Sequence, residues 1–434
     1  MGHSQSLLPS VLEILPMNNE PLHGSLVSET DPLTQQDRAE SALAGRQGIS
    51  RGKPSICFVA LKAYTVLARH EQIQHVGGAE VQQVRMARWL ADRGYPISFV
   101  TLDHGQSDGI AFDGIPIWKA YREDAGIAGL RFVHPRWSGL WHAMRRADAD
   151  VYYQRGSGSQ TGQVALWCHL HKRKFIFAAA AHVDCDLRLL GSMLRRRERI
   201  LYRLGIGLAD AVIAQTETQR TLFRRNMGLT TTLVRNCCWK SADLGQIEPA
   251  FERFSSAPRV LWVGRIASRS KRFEWLLDVA ERCPEIAFDV VGPAGVDSDY
   301  VIPLVKRAAR IPNVDMHGRV PYTEMAAHYQ RSRLLCCTSQ YEGFPNTFLE
   351  AWSLGIPVVS TFDPDDIIAK NGLGWVGRSI EEIVVCLRRA LVSWAMWSEA
   401  SNVARRYCLE HFAPNVCLPP MEHLIQRTVE ARRT

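Results

Sequence analysis

Two carboxylates, Glu342 and Glu350, stand eight positions apart in the stretch YEGFPNTFLEAWSLGIPVVS of residues 341–360. Gly343 and Pro345 break any preceding strand, 346–354 has helical spacing, Gly355 can stop the helix, and 356–360 is apolar and β-branched. The stretch reads as loop, helix, turn and buried strand, with the free amides of a helix N-terminus between the two carboxylates. A diphosphate can rest on such amides. Glu342 would then reach one side of a ligand and Glu350 the other, which suits a molecule with hydroxyls at both ends of a phosphate bridge. A plain structural account fits the same residues: Thr347 and Glu350 match the S/T-x-x-E capping box, and Glu342 can be a solvated loop charge.

A second stretch, 259–293, places cations beside this chemistry. A strand ends at Gly264 and is followed at once by Arg265, then by Arg269, Lys271 and Arg272. Cations at the C-terminal edge of a parallel sheet meet the place where phosphates bind and can neutralise charge on a departing diphosphate. Arg265, directly after a glycine, is read as functional, and Arg269 and Arg272 as solvated surface. Near the start of the chain, Gly77 and Gly78 open a helix, where they either let backbone approach a ligand or simply make a turn.

The elements that must position these residues follow from apolar periodicity. Short apolar runs predict strands at 55–61, 97–102, 151–154, 175–180, 211–215 and 232–235, and again at 260–263, 287–291, 314–316, 334–338 and 357–360. Helical spacing lies between them, at 160–171 and 189–208 among others in the first half, and near 273–282, 300–310, 321–331, 346–354 and 379–393 in the second. Alternation of this kind implies an α/β protein with parallel sheets covered on both faces. We divide the chain into a disordered tail at 1–53, a first doubly wound domain at 54–240, a linker at 241–258, a second such domain at 259–405, and C-terminal helices at 406–434. Those last helices, interrupted by Pro414, Pro419 and Pro420, can cross back to the first domain.

Composition narrows the class. The 434 residues are 46% hydrophobic and 22% charged, as in ordinary globular proteins. No window approaches about eighteen uninterrupted apolar residues and no secretory signal pattern opens the chain, so neither a transmembrane helix nor secretion is expected. The eleven cysteines lack any C-x-x-C and read as reduced core residues of a cytoplasmic protein. The net charge of +8 carries no nucleic-acid signature. Part of it lies on Arg195, Arg196, Arg197, Arg199 and Arg203 of the helix expected at 189–208, where Leu189, Leu190, Met193, Leu194, Ile200, Leu201 and Leu204 supply apolar surface. Such a helix can contact an anionic inner membrane surface, or pack on its own sheet with solvated arginines.

V-G-R at 263–265, the lysine at 271, K-R-F-E-W-L-L at 271–277 and E-G-F-P-N-T-F-L-E-A-W-S-L-G-I-P-V-V at 342–359 resemble the donor-binding domain of glycosyltransferase family 4 of the group 1 type. These are retaining enzymes with two facing Rossmann-like domains (the GT-B fold) and an interdomain cleft. The resemblance covers about 55–430, and G-G-A-E at 77–80 and Asn236 agree with it. It implies a hexosyltransferase-type enzyme that moves sugar from a nucleotide diphosphate sugar to the hydroxyl of a glycan or lipid-linked acceptor, in polysaccharide or glycolipid assembly. Glu350 would bind the ribose hydroxyls; Glu342 and the backbone of Gly343, Phe344, Pro345 and Asn346 would hold the donor sugar. Arg265, after Gly264, and Lys271 would grip the diphosphate, Gly77 and Gly78 would line the cleft, and His182 would lie beside the transferred sugar. Lys271 stands one residue farther from Arg265 than in many members, so Arg269 can substitute for it. His182 lies in A-A-A-A-H-V-D-C-D, where a structural histidine fits as well.

The D-x-D triplets that begin at Asp148, Asp184, Asp297 and Asp363 carry metal in other nucleotide-sugar transferases. Four scattered copies among 44 acidic residues read as chance, so no metal or other cofactor is expected. A nucleotide-sugar epimerase and a non-catalytic nucleotide-sugar-binding protein are the competing readings. A dinucleotide-dependent dehydrogenase is set aside because no G-x-G-x-x-G follows either first strand.

Overall fold

The computed structural model describes residues 52–69, 77–238, 252, 254, 257–295, 299–321 and 324–431. The tail expected at 1–53 and the linker at 241–258 fall mostly outside the described residues, as does Asp297. Short runs rich in β-branched and aromatic residues form the central strands, such as ICFV at 56–59 and RVLWV at 259–263, and burial on both faces explains why these are largely apolar. The first sheet holds β1 (Ile56–Val59), β2 (Ile97–Thr101), β3 (Ala111–Phe112), β4 (Ile115–Lys119), β5 (Val151–Arg155), β6 (Lys174–Ala178), β7 (Ala211–Ala214) and β8 (Thr232–Leu233). Their order is β3-β4-β2-β1-β5-β6-β7-β8, parallel except for the β3–β4 pair. Between the strands run α1 (Tyr64–Ala68), α2 (Gly78–Ala91), α3 (Ser138–Ala147), α4 (Ser159–Leu170), α5 (Leu187–Met193), α6 (Arg196–Gly207) and α7 (Glu217–Met227).

The second sheet is parallel throughout. It comprises β9 (Arg259–Val263), β10 (Ala287–Val291), β11 (Val314–Gly318), β12 (Leu334–Cys337), β13 (Val358–Ser360) and β14 (Gly374–Val376), in the order β11-β10-β9-β12-β13-β14. Its helices are α8 (Phe273–Arg282), α9 (Val301–Ala308), α10 (Met325–Gln330), α11 (Asn346–Ser353), α12 (Ile367–Asn371) and α13 (Ile380–Val392). The chain ends in α14 (Trp394–Phe412), α15 (Pro414–Cys417) and α16 (Pro419–Glu430). The last two meet the first half of the chain: Trp89 Nε1 donates to Asn415 Oδ1 at 2.9 Å, and Gln426 Nε2 to the Tyr95 hydroxyl at 3.0 Å.

Strand order reverses once in each sheet, between β1 and β5 in the first and between β9 and β12 in the second. Chains leave such a point in opposite directions, so a crevice opens at the carboxyl ends of the two central strands. The two crevices are framed by residues 60–62 and 155–156 in the first sheet, and by 264–265 and 338–342 in the second. One apolar core runs from Ile56 and Phe58 of β1 through Met86 and Trp89 of α2 to Trp352 of α11 and Ile425 of α16. Each such buried side chain contributes about 1.5–3 kcal/mol.

Several expectations change. The helix read at 189–208 is two helices, because Leu194 and Arg195 lie between α5 and α6 and Arg195 is extended at φ −63° and ψ 153°. Leu190 and Leu201 are buried, while Ile200 and Leu204 are exposed. The capping box does not form: α11 starts after Pro345 with no side-chain cap, so Thr347 and Glu350 sit too deep in the helix to cap it. All eleven cysteines are unpaired, and ten of them are buried.

Candidate active site

The carboxyl end of β9 carries Gly264 and Arg265 and leads into a tight turn at Arg269–Lys271 before α8. Backbone ties that turn to the loop after β12, where Gln340 N–H donates to the Ser270 carbonyl at 2.7 Å and the Thr338 hydroxyl to the Lys271 carbonyl at 2.7 Å. Two segments about seventy residues apart in sequence thereby become one wall. On it, Lys271 Nζ reaches Glu342 Oε1 at 2.5 Å, and Ser339 Oγ donates to the same oxygen at 2.7 Å. Burial disfavours charge on Lys271, but the Glu342 carboxylate outweighs it and holds the amine above the ordinary lysine range.

Arg265 is exposed, and among the described residues its guanidinium has no hydrogen-bond or ion-pair partner. Arg269 instead lies 4.3 Å over the Tyr300 ring, so Lys271 and not Arg269 occupies the place beside Glu342. Arg272 is not the solvated residue expected. Its guanidinium donates to the Thr338 carbonyl at 2.7 Å, the Ser339 carbonyl at 3.2 Å and the Thr361 hydroxyl at 2.8 Å, pinning the loop that carries Glu342.

Glu350 lies on the second turn of α11, only 6% exposed, with the Tyr329 hydroxyl of α10 donating to its Oε2 at 2.8 Å. The loop before α11 is pressed against the first half of the chain. A side chain on Gly343 would overlap the Ala180 carbonyl just beyond β6, which is why a glycine stands there. The Phe344 ring packs in the core 5.1 Å from Phe412, leaving its backbone to face the loop. Pro345 forms the extended entry to the helix. Asn346 ties the two halves together: its Nδ2 donates to the Gly78 carbonyl at 2.7 Å, and its Oδ1 accepts from Asn236 at 3.0 Å and Gln82 at 3.2 Å. Gly78 at the start of α2 and Asn346 at the start of α11 thus touch, and the positive ends of two helix dipoles converge beside Gly77 and Gly78.

His182 follows β6, half-buried, its ring 5.7 Å from that of Phe362 and its Nε2 without a hydrogen-bond partner among the described residues. Burial pushes its pKa below the usual histidine value, while the Asp365 and Glu342 carboxylates pull it partly back. The structure thus brings His182, Lys271 and Glu342 to neighbouring walls.

Sequence reasoning missed the struts behind this wall. Asp184, dismissed as part of a chance triplet, accepts from the Ala180 and Ala181 amides at 2.6 and 3.0 Å and from the Ser157 hydroxyl at 2.6 Å, fixing the loop that bears His182. Asp365, in another triplet, crosses between the sheets to cap α7, accepting from the Glu217 and Thr218 amides at 2.8 and 2.9 Å. The D-x-D pattern offered the only sequence signal for either residue. Among the described residues no group of three or more acidic, histidine or cysteine side chains converges as a metal site.

Two parallel α/β sheets, each with one switch point, and a lysine–carboxylate pair at the second of these fit the GT-B fold of glycosyltransferases. Residues 77–237 match the model for a glycosyl transferase 4-like domain, and residues 257–391 match that for glycosyl transferases group 1. Together they take in well over half of the chain, which belongs to the group 1 glycosyltransferases; this sets aside the epimerase and non-catalytic readings. A curated relative, an uncharacterized glycosyltransferase of Haemophilus influenzae, is 21% identical over 303 residues, 66% of this chain and 78% of that protein. Among solved structures, sucrose-phosphate synthase of Thermosynechococcus elongatus shares the fold with a TM-score of 0.69 at 15% identity, over 87% of this chain and 100% of the other. Anabaena HepE in complex with UDP and glucose does so with a TM-score of 0.65 at 17% identity, over 86% and 99%.

Proposed function

We propose that this chain is a family 4 enzyme that transfers a hexose, with retention, from a nucleotide diphosphate sugar to a hydroxyl acceptor in polysaccharide or glycolipid assembly. The observation that carries this reading is the wall at the second switch point, where Lys271 pairs with Glu342 and Arg265 has no partner among the described residues, together with the two helix N-termini that meet at Gly78 and Asn346. Glu350 takes the ribose hydroxyls. Arg265, Lys271 and the amides of α11 take the diphosphate, so charge on the leaving group is met by side chains and dipoles and no metal is required. Glu342 and the backbone from Gly343 to Asn346 hold the sugar, with His182 on the opposite wall. HepE, which shares the fold, is solved in complex with UDP-glucose, and that supports a nucleotide-sugar donor here.

Since Glu342 is engaged with Lys271 and Ser339, it is not free to attack the sugar from below. The acceptor oxygen therefore bonds to the anomeric carbon from the face the diphosphate leaves. The bond from that carbon to the phosphate oxygen breaks, and the acceptor proton passes to the departing phosphate. The test is NMR of the first-formed product, made in EDTA-containing buffer from a panel of α-linked UDP- and GDP-sugars. An α linkage is expected; a β linkage overturns retention, and activity lost to EDTA but restored by Mg²⁺ or Mn²⁺ overturns metal independence.

The unpaired thiols suit a reducing cytoplasm. Among the described residues no helix is long and apolar enough to cross a membrane. Peripheral contact with an anionic inner surface is proposed through exposed Arg195, Arg196 and Arg197 beside exposed Ile200 and Leu204. Co-sedimentation with phosphatidylglycerol vesicles should be lost when all three arginines become Gln, and equal sedimentation of the variant decides against it.

A further inference from the structure

The crevice at the switch point of the first sheet is a cavity of about 410 Å³, bounded by residues 59–62 at the end of β1, Leu102 beyond β2 and Arg155 at the end of β5. Lys62, Arg136, Arg155 and Arg197 bring four positive charges to its walls. Three carboxylates, Glu80, Glu123 and Glu198, also line it, yet among the described residues none of them pairs with those cations. Glu198 accepts the Arg195 amide at 3.0 Å at the start of α6 instead.

Two of the arginines are incompletely satisfied. Arg155 Nη2 donates to Asn236 Oδ1 at 2.7 Å; its buried Nε and Nη1 make no well-aligned hydrogen bond among the described residues, and the oxygen beside the guanidinium is the neutral Tyr153 hydroxyl. The nearby Tyr153 hydroxyl donates to Met86 Sδ at 3.8 Å. Arg136 Nη2 donates to the Glu123 carbonyl at 3.1 Å, and its Nε is likewise buried without an acceptor. A buried guanidinium N–H left without an acceptor is costly, and an anionic oxygen satisfies it better than a neutral hydroxyl does.

We infer that this cavity binds the acceptor through a carboxylate or phosphate group held by Arg155 and Arg136. The inference rests on the transferase reading above and deepens it by naming the acceptor's chemical class. Asn236 joins the two sites: it accepts from Arg155, and its own Nδ2 donates to the Phe344 carbonyl at 3.3 Å and to Asn346 at 3.0 Å. An anion on Arg155 is therefore one side chain removed from the loop assigned to the donor sugar.

The experiment is a ligand-observed NMR titration of the full chain, with UDP or GDP present, against matched glycosides. These are the methyl glycosides of glucose, galactose and mannose, their 6-carboxylates and their 6-phosphates. At least one anionic member should bind about tenfold more tightly than its neutral partner. Whether the 6-carboxylates or the 6-phosphates show the gain identifies the source of the anion. The gain should disappear in Arg136→Gln and in Arg155→Gln, each checked for an unchanged thermal unfolding midpoint. Absence of a gain for every pair, or a gain that survives in both variants, overturns the inference. Nucleotide affinity of the wild-type chain, read in the same samples, reports separately on the donor site; its absence counts against the transferase mechanism and not against the anionic cavity.

Discussion

At the edge of the second sheet Lys271 and Glu342 neutralise one another, Ser339 holds the carboxylate, and Tyr329 holds Glu350; at the edge of the first sheet Arg155 and Arg136 keep buried N–H groups that make no well-aligned hydrogen bond among the described residues. Both places are switch points of parallel sheets, so the fold supplies the same crevice twice. What differs is how the charged groups that line each are met among the described residues. At the second edge the pairs Lys271–Glu342 and Tyr329–Glu350 hold their geometry before the ligand arrives, while exposed Arg265 stands without a partner, and that suits stabilising charge which develops only during reaction. A site with unmet donors gains most from a ligand that brings the missing acceptor. The difference therefore assigns transition-state work to the second sheet and recognition to the first.

Arg265 gives the largest expected break in that comparison. It is exposed and without a partner among the described residues, so its removal should leave folding untouched. If it meets charge growing on the diphosphate, Arg265→Ala lowers kcat by about 10² or more. An unchanged thermal unfolding midpoint together with that loss supports the assignment. A loss confined to KM would place Arg265 among recognition groups and erase the contrast between the two edges.

The two edges also differ in how far the sequence discloses them. Arg265, Lys271, Glu342 and Glu350 fall in two short motifs whose residue types and spacing mark them, although Lys271 and Glu342 meet across 71 positions and Glu350 meets Tyr329 across 21. Gln82, Asn236 and Asp365 act across the sheets and Arg155 across the first sheet, with partners 81 to 264 positions away. Period and composition carry no trace of such pairs, although Asn236 was noticed through the family resemblance. The same limit governs the fold. Long apolar strands such as β9 and β10 were legible, whereas β4, with Pro116 in its middle beside the two-residue β3, and the three-residue β14, starting at Gly374, were not. Proline and glycine argue locally against strand, and only pairing with β2 or β13 overrides them. The unbroken helix read at 189–208 failed for the complementary reason: apolar spacing continues through Leu194, but nothing in spacing reports that Arg195 turns extended.

A smaller and sharper test falls on Glu350. The capping-box account is removed by the structure, because Thr347 and Glu350 lie beyond the N-cap at Pro345. This nearly buried carboxylate accepts from the Tyr329 hydroxyl and, in the proposed mechanism, from the ribose of the donor. Glu350→Gln keeps the volume and can still accept from Tyr329 through its amide oxygen, so the fold should hold. It replaces a charged acceptor with a neutral one, and nucleotide affinity should fall by about 1.5–3 kcal/mol, read by calorimetric titration. Tyr329→Phe serves as the control, since it removes a neutral donor that only orients the carboxylate and should weaken nucleotide binding by about 0.5–1.5 kcal/mol. Wild-type affinity in Glu350→Gln, with an unchanged unfolding midpoint, would make Glu350 a structural residue and not a ribose ligand. The prewired character of the second edge would then extend only as far as Lys271 and Glu342.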